Sequence, residues 1–180
     1  MAFLASLYLI FYTCSWSCLK NLAMASNVLG DDKEARPALS ASASELRRLL
    51  TVIEADILPV TREGVARGNK VFGAAVLGER PELCTVVADT NNELECPLFH
   101  GEVYVLQKWA AQTPAEQRGA NAARAVFLST HEPCCMCISA IVWAGFSEVF
   151  YFFPYESTRK QGIPHDIEIM HEVCGSHACV

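Results

Sequence analysis

His100-Gly101-Glu102 and, further along, Pro133-Cys134-Cys135-Met136-Cys137 are the stretches on which the reading of this chain turns. From His100 onward Val103, Leu106 and Ala110 recur at helical spacing, so the first stretch opens a helix that ends near Thr113-Pro114. Cys134 to Ala144 reads as a second, buried helix, with Gly145 where a helix stop is expected. Thiolates in the first turn of a helix are favoured by its unpaired backbone donors and its dipole. A Cys-x-x-Cys pair placed there can put both sulfurs on one ion. His100, Cys134 and Cys137 make three ligands and leave a fourth tetrahedral position for water, the donor set of a catalytic zinc rather than a closed structural one. Glu102, two residues past His100, is too near to be an ordinary second ligand and is well placed to carry a proton beside that water.

Working outward, Val71 to Leu77 is a short apolar run bounded by Gly68-Asn69 and Gly78, the pattern of a buried strand. Glu79 to Glu82 supplies a turn and Leu83 to Ala88 a second strand, so the pair predicts a hairpin. Ala125 to Leu128 and Val149 to Phe153 are the third and fourth strands, the last closed by Pro154. Ser42-Ala43-Ser44-Glu45 fits a capping box. After it Leu46, Leu49, Leu50, Ile53 and Ile57 give a helix one apolar face. Pro59 is expected to bend or end that helix, with the pattern resuming toward Val65. One more helix is expected around Asp166 to Val173. Strands joined through helices imply parallel pairing in an α/β sheet covered on both faces.

Residues 1–25 are set aside from the fold. Ala2 to Leu19 is uncharged and mostly apolar, and Ala23-Met24-Ala25 is similar to a signal cleavage site, so a signal or membrane anchor is one reading. A mis-set start at Met24 is the other. Residues 26–43 read as a flexible leader, 44–174 as the folded domain and 175–180 as a tail.

The net charge is −6, and the 14 basic residues are thinly spread, which argues against a broad phosphate-binding surface. A free base, a nucleoside or another small molecule is the easier partner, and nucleic acid is not expected. Nine cysteines would suit a disulfide framework in a small secreted chain, but three of them crowd into one pentapeptide. That crowding suits a metal, which needs reduced thiols and therefore a reducing compartment. The cytoplasm is the expected location of the domain, with the secretory pathway or a membrane anchor through residues 1–25 as the alternative. The tail spacing His171-x-x-Cys174-x-x-His177-x-Cys179 is also metal-like, but it lies in a terminal stretch and is read as disordered. His131 reads as a hydrogen-bonded structural histidine, and Trp109 as core.

His-x-Glu followed by Pro-Cys-x-x-Cys resembles the signature of zinc deaminases. Over Ser44 to Val173 the chain resembles the cytidine and deoxycytidylate deaminase superfamily. Glu132-Pro133-Cys134 with Met136-Cys137 is most similar to its guanine deaminase and tRNA adenosine deaminase branch. The resemblance implies a three-layer α-β-α fold around a central mixed five-stranded sheet, a zinc cofactor and a homodimer. It implies that Phe72, Gly73 and Ala74 line the base pocket and that Asn91 contacts substrate, with Asn92 nearly as good a candidate. Two departures stand out. Gly101 replaces the usual alanine, at a helix-propensity cost of up to ~1 kcal/mol. The loop from Asn91 to His100 is shortened and carries Cys96-Pro97-Leu98-Phe99.

The expected activity is therefore zinc-dependent hydrolytic release of ammonia from a free nucleobase or nucleoside of guanine or cytosine type. A tRNA adenosine deaminase and a catalytically silent zinc-binding partner subunit are the alternatives.

Overall fold

Ser42 caps the helix that follows it for the reason its sequence gives. Its hydroxyl accepts from the Glu45 backbone N–H at 3.2 Å, and the Glu45 carboxylate accepts from the Ser42 N–H at 2.8 Å. The computed structural model describes residues 12–13, 42–78 and 86–174. Residues 1–25 apart from that short piece, most of the leader, the turn at Glu79 to Glu82 and the tail's Cys174-to-Cys179 spacing lie outside the described side chains.

The elements run β1 (Tyr12–Thr13), α1 (Ala43–Val52), α2 (Leu58–Ala66), β2 (Gly73–Leu77), β3 (Val86–Thr90) and α3 (Gly101–Gln112). They continue with α4 (Arg118–Ala122), β4 (Val126–His131), α5 (Cys135–Trp143), β5 (Glu148–Phe153), α6 (Tyr155–Lys160) and α7 (His165–Cys174). Pro59 does not end the first helical stretch. A π-helical turn over Ile53–Ile57 joins α1 to α2. Widening the turn just before a proline relieves the clash of its ring with the preceding carbonyls, so the helix passes through. None of the described helices is long and apolar enough to cross a membrane.

The sheet order is β1-β5-β4-β2-β3. β2 is antiparallel to both neighbours, and β4 and β5 are parallel. The expected hairpin is β2–β3, while parallel pairing holds only for the β4–β5 unit crossed over by α5. The sheet is thus mixed, but the five-strand expectation needs correction. The domain itself supplies four strands, because after Pro154 the chain enters α6 and α7 instead of extending again. Among the described residues, the place beside β5 is taken by the two residues of β1, which pair antiparallel with Phe150 and Tyr151.

Alternation along the strands builds a core on each face. Ala74, Val76 and Phe127 point to one side, against Val105, Leu106 and Trp109 of α3, Ile141 of α5, and Phe146. Ala75, Leu77, Leu128 and Phe150 point to the other, against Leu49, Val52 and Ile57. Phe127 and Ile57 are both fully buried, each stabilising the fold by about 1.5–3 kcal/mol. α5 is less buried than its composition predicts, since Cys137 and Ile141 turn inward while Trp143 is 94% exposed.

Two glycines set the distance between layers. A Cβ on Gly101 would lie 3.1 Å from the Phe72 carbonyl oxygen and 3.2 Å from the Gly73 Cα. One on Gly73 would lie 2.6 Å from a methyl of Ile57. Their bare backbones let α3 sit against the start of β2 and let β2 sit against the first helical layer. The propensity lost at Gly101 is the counterpart of that close approach.

Candidate metal centre and active site

His100 and Cys134 are both the last extended residue before a helix, with ψ near 154° and 169° at the N-caps of α3 and α5. Cys137 lies one turn into α5 and is fully buried. The two helix starts converge at the end of β4, so residues far apart in sequence meet. The His100 Nδ1 is 3.6 Å from the Cys134 Sγ and 3.6 Å from the Cys137 Sγ. A tetrahedral zinc with its nitrogen at about 2.1 Å and sulfurs at about 2.3 Å separates N and S by about 3.6 Å. The His100 nitrogen therefore stands from each sulfur at the separation such an ion would span. Among the described residues this trio forms the group of side chains able to hold a metal, its ligand atoms all within 4.8 Å of one another.

The sulfurs differ electrostatically. The Cys134 thiol is pulled down to about 4, first by a hydrogen bond from Cys137 and then by His100. Cys137 is pushed upward by donating to Cys134, by burial and by the nearby Glu102 carboxyl. His100 is raised, chiefly through its hydrogen bond with Cys134.

Glu102, in the first turn of α3, is 5% exposed. Its Oε1 accepts from the Ser129 hydroxyl at 2.9 Å, and its Oε2 lies 3.4 Å from the Cys137 Sγ. Burial raises its proton affinity above that of an ordinary carboxylate. Ser129 arrives by strand register, since β4 pairs with β2 through Ala74 opposite Ser129. The expected third strand stops at Leu128, whereas β4 continues through Ser129, Thr130 and His131. Ser129 was therefore not legible as a partner of Glu102.

The pocket-lining candidates fall around this centre. Asn91 is fully buried, follows β3, and donates its N–H to the Phe72 carbonyl at 2.7 Å. Its Oδ1 accepts from the Glu93 N–H, while its Nδ2 has no partner among the described residues. Asn92 instead turns its amide to Glu95. Ala74 is fully buried, and Phe72 is 9% exposed, its ring edge-on to His131. The Gly73 N–H and carbonyl are both engaged by the Thr130 hydroxyl at 3.0 Å. Gly73 thus contributes shape and closeness instead of free hydrogen-bonding groups. Glu93, which no sequence pattern marks, lies 3.0 Å from the other ring nitrogen of His100.

His131 is structural. Its ring nitrogens meet the Thr130 hydroxyl at 3.0 Å and the Gln161 Oε1 at 3.3 Å, and Phe72 and Phe153 pack on it. Burial lowers its pKa from 6.5 to about 4. Between those values the unfolded chain binds a proton that the folded chain refuses, so stability rises with pH across this window and is lost on acidification. The full shift corresponds to about 3 kcal/mol. Denaturant midpoints at pH 7 and pH 4.5 are expected to differ less in His131→Gln than in the parent. An unchanged pH response in the variant would contradict this.

Among solved structures, the guanine deaminase of Bacillus subtilis is 24% identical, with a TM-score of 0.51 over 69% of this chain and 71% of that one. A guanine deaminase of Nitrosomonas europaea is 20% identical, with a TM-score of 0.52 over 76% of each chain. A protein solved in complex with 2,6-diaminopurine is 23% identical, with a TM-score of 0.51 over 78% of this chain and 68% of that one. At this identity the likeness is one of fold. No curated protein matches the chain. The family described as the cytidine and deoxycytidylate deaminase zinc-binding region matches residues 54–153, more than half the chain and a span that holds the whole His100–Cys134–Cys137 cluster together with Glu102. Its zinc-binding character agrees with a donor set already spaced for that ion, and the chain belongs to the cytidine and deoxycytidylate deaminase zinc-binding family.

Proposed function

We propose that this protein hydrolyses the exocyclic amino group of a free nucleobase or nucleoside of guanine or cytosine type and releases ammonia. The observation that carries the reading is the buried Glu102 carboxyl, fixed by Ser129 on one oxygen and facing the metal cluster with the other. His100, Cys134 and Cys137 would hold the zinc, which would supply the Lewis acidity that brings the pKa of a water toward ~7. Glu102 would take one proton from the attacking water at Oε2 and give it to a ring nitrogen as the C–O bond forms. It would then take the second proton from the added hydroxyl and give it to the amino group as the C–N bond breaks and ammonia leaves. A carboxyl whose burial raises its proton affinity is suited to both halves of the task.

The remaining residues orient the ring. Asn91 has its oxygen occupied and its amide N–H groups free, so it binds a ring acceptor such as a carbonyl oxygen. Phe72 would supply an apolar wall, and Ala74, fully buried in the core, would back it. Similarity of fold to guanine deaminases supports beginning with purine bases. Asn91→Ala is expected to lower kcat/KM by about ten- to a hundredfold, since a buried acceptor on the substrate loses its partner. An unchanged kcat/KM would remove Asn91 from the pocket.

The reading is tested by ammonia release from a panel of free bases and nucleosides, using zinc-loaded protein. Turnover of at least one is expected. Zinc-loaded protein that deaminates none would contradict it.

A further inference from the structure

We infer that Glu93, braced by Lys70, is a positioning residue that fixes the His100 imidazole with Nδ1 turned toward the two sulfurs. An imidazole has two nitrogens, and the one free to bind a metal is decided by what holds the other. Here the Glu93 Oε1 lies 3.0 Å from the His100 Nε2, and each side chain is 22% exposed. The carboxylate takes the proton-bearing Nε2 and leaves the lone pair on Nδ1, the atom 3.6 Å from both sulfurs.

Glu93 is itself held at several points. The Lys70 Nζ lies 2.9 Å from its Oε2, and its backbone N–H donates to the Asn91 Oδ1 at 3.2 Å. Nearby, the Leu94 N–H donates to the Asn69 Oδ1 and the Asn92 N–H to the Phe99 carbonyl. The loop is the segment between Asn91 and His100, and its fold brings Glu93 back over the ring of a residue seven positions ahead. Asn91 and His100 are therefore joined through one residue, with Glu93's backbone on the first and its carboxylate on the second.

The inference rests on His100 being a zinc ligand, and the test separates the two claims. Zinc affinity of the full chain is measured by competition with a chromophoric chelator, with the melting temperature of the metal-free form as a control. Glu93→Ala is expected to weaken zinc binding by about 10- to 100-fold, the usual cost of losing such a partner. Glu93→Gln, which keeps the reach but not the charge, is expected to fall between. Substitution by cobalt(II) should give displaced ligand-field bands in Glu93→Ala, because the imidazole is no longer held at one angle.

Parent-like zinc affinity and parent-like cobalt bands in both variants would overturn the role. So would a lowered metal-free melting temperature with the cobalt bands unmoved, which marks a purely structural contact. Cys137→Ser serves as the reference. If it too binds zinc as the parent does, the ligand set is wrong. If it loses zinc while Glu93→Ala does not loosen it, only the positioning role fails.

Discussion

Glu102→Ala is expected to keep one zinc per chain and to lose turnover by at least about 10²- to 10⁴-fold, the range over which a positioned proton carrier acts. Glu102 provides none of the three metal-spaced atoms, so its removal should leave the cluster intact. What disappears is the group that moves the proton twice in each cycle. Glu102→Gln is the sharper variant, because it keeps the volume of a buried side chain and an oxygen for the Ser129 hydroxyl. Steady-state ammonia release beside zinc quantification reads both quantities. If zinc leaves with the carboxylate, Glu102 belongs to the metal's ligand set; if activity survives, the proton path lies elsewhere.

Cys137→Ser should abolish stoichiometric zinc and with it every metal-dependent property. Cys137 is fully buried at the centre of the cluster, and a serine hydroxyl at that place is a far poorer ligand than a thiolate. A ligand bound at a thousand times its Kd stabilises the folded state by about 4 kcal/mol. For a domain of this size that is roughly 8–16 °C in melting temperature. Adding a strong chelator to the parent should reproduce the drop, and the variant should show no further response to it. A variant that keeps its zinc, or a parent indifferent to the chelator, would contradict the assignment.

The parts of this protein that were legible in its sequence are those whose signal is local. The Ser42–Glu45 capping box, the helix from His100 onward and the helix stop at Gly145 depend on residues within a few positions of one another, and all three hold, although α3 buries Val105, Leu106 and Trp109 and leaves Val103 and Ala110 only partly covered. The metal cluster was legible because both halves lie at helix starts, where spacing and chemistry coincide. What escaped depends on tertiary approach. Ser129 reads as a polar residue beyond a strand, yet register against Ala74 carries it to Glu102. Glu93 is one of several loop acids until the chain folds back on His100. Gly101 reads as a weakness in a helix until the Phe72 carbonyl is found within 3.1 Å of where its Cβ would be. Pro59 reads as a bend or an end with the helix resuming toward Val65, and it does resume, but the π-turn that carries it past the proline has no marker in composition. The five-strand count came from resemblance alone, and there the chain after Pro154 departs from it.

One imidazole and two thiolates of this chain are expected to hold a zinc with room for one further light ligand. X-ray absorption at the zinc edge of the zinc-loaded protein should show two sulfur scatterers at about 2.3 Å and two nitrogen or oxygen scatterers at about 2.0–2.1 Å. A shell of four sulfurs, or one with none, would contradict it.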